Sequence, residues 1–172
     1  MLNFNEKIYS NISYLGCASE YIEDIWESID QIDLFQTFTL DEVKAVCHYL
    51  HCYAAPRGYM LFEPEYQADH LILVLSGGVS VTEVRDGVED SMEFLLGATL
   101  GESALVDQQP WHATCVAMVP TDFAVLSRQA LNEMLVNYPR LANKLLLVLM
   151  QKIALRLRSV DKTMQHAHLR FA

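Results

Sequence analysis

Between Tyr49 and Ser127 the chain is cut by turn signals spaced too closely for helices of ordinary length. Pro56-Arg57-Gly58, Ser76-Gly77-Gly78, Arg85-Asp86-Gly87 and Pro120-Thr121 each place residues that preset or tolerate turn backbone angles. Arg85-Asp86-Gly87 is a tight hairpin signal. The segments between them, 48–54, 59–62, 70–75, 79–84, 91–95, 112–119 and 122–126, are short and rich in strand-forming residues. Short strands joined by tight turns predict an antiparallel β-roll or jelly roll.

The flanks carry a different period. Residues 1–47 read as helical: Tyr21, Ile22, Ile25, Trp26 and Ile29 form an amphipathic stripe, and 30–34 is a break. Thr39 with Glu42 three residues on has capping-box spacing and starts a helix through Val46. After the strands, Ser127 is an N-cap for a helix with Ala130, Leu131, Met134 and Leu135 on one face. Tyr138-Pro139 ends it, and Pro139 suits the first turn of a long last helix. The expected organisation is α+β in a single domain, 1–172. It has N-terminal helices at 1–47, a β-roll at 48–127 and C-terminal helices at 128–172.

Leu141, Leu145, Leu149, Ile153, Leu157, Val160 and Met164 recur every three or four residues along that last helix, and Leu146, Leu147, Val148 and Met150 widen the stripe. A helix apolar on more than one face needs two surfaces to bury it. One is the roll. The other is either the N-terminal helices or the same helix of a second copy, and two-fold self-association is the commonest oligomer solution. The expected assembly is a homodimer through Leu145, Leu149, Ile153 and Leu157.

Composition removes several functions. A formal charge of −10 opposes nucleic-acid binding, which draws on Lys and Arg to neutralise phosphates. No apolar run reaches the roughly 20 residues of a membrane span, and MLNFNEKIYS lacks the features of a secretory signal. Cys17, Cys47, Cys52 and Cys115 form no CxxC pair, which predicts reduced thiols in a cytoplasm. A hydrophobic content of 52% leaves room for a partner protein on an apolar surface.

The candidate site is Leu100-Gly101-Glu102-Ser103-Ala104-Leu105 followed by Pro110-Trp111-His112-Ala113-Thr114-Cys115-Val116. Gly101 turns the backbone without a Cβ penalty, Glu102 is free to accept hydrogen bonds, and Ala104 and Leu105 anchor the turn to a core. A ligand cradle and a generic loop between strands both fit this pattern. Cys47-His48 and His51-Cys52 have the right chemistry for zinc but straddle a helix-to-strand junction, and strand alternation sends His51 and Cys52 to opposite faces. Glu102 with Ser103 and His112 lacks any nucleophile or metal motif, so no catalytic residue is assigned and no enzyme is expected.

In order and spacing, these pieces resemble the cyclic nucleotide-binding domain family of catabolite-activator-type transcription factors, kinase regulatory subunits and gated channels. The resemblance runs from about Ile32 to Asp161. It includes Asp33-Leu34-Phe35, Pro56-Arg57-Gly58, Asp69 through Val81 with Ser76-Gly77-Gly78, and Gly97. It also includes Gly101-Glu102-Ser103-Ala104-Leu105 as the start and Pro110 through Val116 as the close of a phosphate-binding cassette spanning 97–116. The resemblance implies that Glu102 takes the role of bonding a ribose hydroxyl. It places Trp111 where the family has the arginine that pairs with the cyclic phosphate. An indole offers one N–H and no charge. A lost charge-assisted contact of about 1.5–3 kcal/mol weakens phosphate binding by about one to two decades, so tight cyclic AMP binding is not expected. His112, Arg156 or Arg158 could supply a replacement donor, and Trp111 either stacks on a flat ligand or plugs the pocket.

No cofactor is expected beyond a cyclic nucleotide or other small-molecule effector. Three functions follow: a ligand-sensing regulatory module, a ligand-free dimerisation or interaction scaffold, and a DNA-binding regulator. Only His166-Ala167-His168-Leu169-Arg170-Phe171-Ala172 follows the long helix in this sequence, so the third is not expected unless the module acts through a partner.

Overall fold

The computed structural model describes residues 9, 11–66, 68–85 and 87–169, with side chains at all of these except 85 and 160–169. Asp86 of the hairpin turn, the opening stretch apart from Tyr9, the side chains of Val160 and Met164, the side chains of His166, His168 and Leu169, and the tail from Arg170 lie outside that description.

The strand-forming segments pair as two antiparallel sheets. One runs β1 (Ser13–Cys17), β2 (His51–Ala55), β9 (Thr121–Ser127), β4 (His70–Val74) and β7 (Thr99–Leu100), in that spatial order. The other runs β3 (Met60–Phe62), β8 (Thr114–Ala117), β5 (Gly78–Arg85) and β6 (Val88–Leu95). Five α-helices are described: α1 (Ile22–Glu27), α2 (Leu40–Cys47), α3 (Glu102–Asp107), α4 (Arg128–Asn137) and α5 (Pro139–Leu169). The α+β roll with flanking helices is therefore the architecture that the turn spacing and helical periods predict.

Two cores result, and β4 explains both. Ile72 and Val74 point between the sheets, while Leu71 and Leu73 point outward to the helices. Every residue of β4 is buried, so the strand reads as an unbroken apolar run instead of an alternating one. The two caps form as their sequences predict. Thr39 Oγ1 accepts from the Glu42 N–H at 3.3 Å while the Thr39 N–H donates to Glu42 Oε2 at 2.8 Å, and Ser127 Oγ accepts from the Ala130 N–H at 3.1 Å.

Two expectations are corrected. The segment 1–47 is not helical throughout, because Ser13–Cys17 forms an edge strand on β2. A bulge where Gly16 sits at φ +113° interrupts its register, so no period was available to read. The two-residue β7 is likewise too short to show a pattern. The dimer stripe on the last helix also divides. Leu145 and Leu149 are buried in the chain's own outer core with Leu34, Phe35, Phe38 and Val43, whereas Leu157 is 62% exposed. A strict i+4 row turns about 40° per step around a helix of 3.6 residues per turn. It therefore winds from the core at Leu145 to the outside at Leu157. For the first half of α5 the second burial surface is the N-terminal segment.

Candidate functional site

Gly101 adopts φ +83° and ends β7, letting the chain reverse into α3. A Cβ there would lie 2.5 Å from the Trp111 ring and 2.6 Å from the His70 carbonyl oxygen, so this position excludes any side chain. The turn carries Glu102 inward, where it is 2% exposed, together with Ala104 and Leu105; Ser103 remains exposed. Leu105 enters the outer core and fixes α3. Arg128 at the start of α4 clamps the other end, its Nη1 donating to the carbonyls of Leu105 at 2.6 Å and Val106 at 2.7 Å. Sequence reading missed this role, since an exposed-looking arginine after an N-cap carries no local signal.

A buried carboxylate requires partners, and Glu102 has two. Thr99 donates its hydroxyl to Oε1. Arg156, from the middle of α5, donates Nη1 to Oε2 at 2.8 Å and Nη2 to the Thr99 carbonyl. The guanidinium also lies 5.6 Å from the centroid of the Phe94 ring on β6. Glu102 is 3% exposed in its side chain and Arg156 45%, so the pair sits at the edge of the protein with its anionic half inside. Arg156 thus joins the site, whereas Arg158 is exposed and does not line the cavity.

Trp111 stacks on Phe62 with ring centroids 3.8 Å apart and planes 11° apart. Its backbone is fixed as well: its N–H donates to the Tyr66 carbonyl and its carbonyl accepts from the Glu65 N–H, both at 3.1 Å. The indole occupies the space over Gly101 yet leaves a cavity of about 450 Å³ beside it. Glu83, Phe94, Glu102, Trp111, His112 and Arg156 contribute to its walls. His112 is exposed and opens onto this space. Among the described lining residues, Glu83, Glu102 and Asp107 are acidic and Arg156 is the one lysine or arginine.

The Cys/His group does not converge. Cys52 faces the outer core, while His51 Nδ1 lies 2.9 Å from the Tyr14 hydroxyl. Burial lowers the His51 pKa below its ordinary range. Among the described residues no three His, Cys, Asp or Glu side chains are placed to hold a metal ion, and no helix is long and apolar enough to cross a membrane.

The site is thus a two-sheet roll backed by a long helix, with a glycine-turned glutamate segment facing a cavity between them. The family model described as "Cyclic nucleotide-binding domain" matches residues 54–138. A solved cyclic nucleotide-binding domain from Methylobacillus flagellatus KT is 40% identical, with 92% of this chain and 91% of that one covered at a TM-score of 0.81. Thermus thermophilus catabolite activator protein is 25% identical over 79% of this chain and 63% of its own, at a TM-score of 0.70. A third solved structure is the regulatory subunit of a cAMP-independent protein kinase A from Trypanosoma brucei, in a triply substituted form bound to cAMP in its A site. It matches at 20% identity over 78% of this chain and 48% of its own, at a TM-score of 0.63. No curated protein matches the chain. The chain belongs to the cyclic nucleotide-binding domain family.

Proposed function

We propose that the protein is a non-catalytic, cytoplasmic regulatory module in which occupancy of the cavity between Glu102 and Trp111 biases the position of α5. The Glu102–Arg156 contact carries this reading, because it places one residue of α5 directly on the wall of the cavity. A ligand that contacts the cavity and the helix differently in two states shifts their populations, and only by its difference in affinity. Ordinary cyclic AMP is a weak ligand here. Its phosphate meets an indole at Trp111, and Arg156, the one lysine or arginine among the described lining residues, already pairs with Glu102.

The Trp111–Phe62 stack against Gly101 favours a second reading, a ligand-free dimerisation or protein-interaction scaffold with Trp111 as part of the core. Calorimetry with cyclic AMP, cyclic GMP and cyclic dinucleotides separates these, with Trp111→Arg measured in parallel. We expect weak or no cyclic AMP binding in the wild type and a gain of at least about tenfold in the variant, the lower end of one charge-assisted contact. Saturable wild-type binding of cyclic AMP in the low micromolar range would overturn the assignment of Trp111.

A further inference from the structure

We propose that Arg156 is a built-in occupant of the binding site and that the cavity takes a small organic cation, an amidinium or guanidinium carried on a flat ring, which exchanges with Arg156 at Glu102. This rests on the sensing reading above and names the ligand class for the same cavity.

Three observations converge. Glu102 is buried, and what satisfies it is a hydroxyl from Thr99 and a guanidinium from Arg156. The guanidinium therefore marks the chemistry that the innermost carboxylate of the cavity accepts. A neutral ligand hydroxyl replacing it would leave a buried carboxylate without a counter-charge, which is costly. An incoming amidinium or guanidinium restores both the charge and the forked hydrogen bonds. Arg156 is nearly half exposed, so it can leave for solvent without desolvating another group.

The rest of the cavity agrees. Glu83 and Asp107 line it beside Glu102, with Arg156 as the one lysine or arginine among the described lining residues. Once Arg156 has left, a cationic ligand meets carboxylates and an anionic one meets no strong counter-charge. Phe94, which already faces the guanidinium at 5.6 Å, and Trp111 supply ring faces for a flat cationic head. The volume of about 450 Å³ accommodates more than the guanidinium alone. A net charge of −10 raises the local concentration of cations at such a mouth. Exchange also has a mechanical result: α5 loses its tie to Glu102 and to the Thr99 carbonyl in one step.

Benzamidine and ethylguanidinium are suitable probes. Benzamidine is expected to bind the wild type saturably by calorimetry, at least tenfold more weakly in Glu102→Gln and more tightly in Arg156→Lys, where the competing fork is gone. In Arg156→Ala, millimolar ethylguanidinium is expected to raise the thermal midpoint, with no matching rise in the wild type or in Arg156→Ala/Glu102→Gln. Equal rescue in the double variant, no benzamidine binding, or tighter binding of cyclic AMP than of benzamidine to the wild type overturns the cation assignment. Hydrogen exchange of α5 separates this failure from that of the sensing reading. If cyclic AMP but not benzamidine alters α5 exchange, sensing stands and the cation falls; if neither does, both fall.

Discussion

The indole of Trp111 lies flat on Phe62, with ring centroids 3.8 Å apart, and its far edge closes on Gly101, where a Cβ would come within 2.5 Å. The position that the family resemblance gives to a phosphate-binding arginine is here a packing element between β3 and the turn into α3.

Replacing Gly101 tests that packing. Gly101→Ala adds a methyl at φ +83° between the indole and the His70 carbonyl oxygen, and a cost of about 1–3 kcal/mol is expected from the strained backbone and crowding. Trp111→Ala in the same chain should recover little of it, because the carbonyl at 2.6 Å belongs to the backbone of β4. Urea unfolding of the two single variants and the double variant gives the coupling. Full recovery in the double variant would show that the indole alone excludes a side chain.

Glu42 on α2 and Lys144 on α5 are 2.6 Å apart, each about one third exposed. The hydrogen bond from Lys144 is the leading cause, and that from the Thr39 N–H the next, of a Glu42 pKa held below its ordinary 4.5. A carboxyl with a depressed folded pKa stabilises fully above its unfolded value and loses that contribution as pH falls through the folded one. Wild type should therefore melt above Glu42→Gln at neutral pH, with the gap closing below about pH 4.5, the ordinary value. Added salt should narrow the gap at neutral pH, because the pair is exposed. A gap unchanged down to pH 3 would remove the ion pair as its cause.

Particular residues explain what was legible in the chain before its structure. The roll could be read because Pro56, Gly77, Gly78 and Pro120 punctuate it locally, and the caps at Thr39 and Ser127 because capping chemistry is contained within four residues. The edge strand Ser13–Cys17 could not, since its partner His51–Ala55 lies far along the chain and its own residues show no alternation. In the site, Gly101 and Glu102 were visible as a motif. Arg156 entered among several cations, and only its distance to Glu102, 54 residues away, separates it from Arg158. The Arg128 clamp has the same character, joining elements that no sequence period connects.

Cys47, Cys52 and Cys115 are buried, and burial is the leading cause that pushes each thiol up to about 12. The reactive species is the thiolate, so these three should resist iodoacetamide at pH 8 in the folded protein. Cys17 is only partly buried and should be alkylated first. Peptide mass spectrometry before and after denaturation reads the order directly. Rapid native labelling of Cys115, which sits between the sheets, would require an opening of the roll absent from this packing.

Along α5, Leu147, Met150 and Leu157 are each more than 60% exposed. With Ala154 they recur at steps of three, four and three residues, the spacing of a two-helix seam. This row, displaced from the buried Leu145 and Leu149, is the face on which we place the proposed homodimer contact. Leu147→Glu/Leu157→Glu should give a monomer in sedimentation with an unchanged circular dichroism spectrum, because neither side chain is in the core. Leu149→Glu should instead unfold the chain, since it puts a carboxylate into the cluster around Phe35 and Leu145. A wild-type monomer at tens of micromolar would refute the dimer. A Leu149→Glu variant that folds as a stable monomer would move its interface back to the inner row.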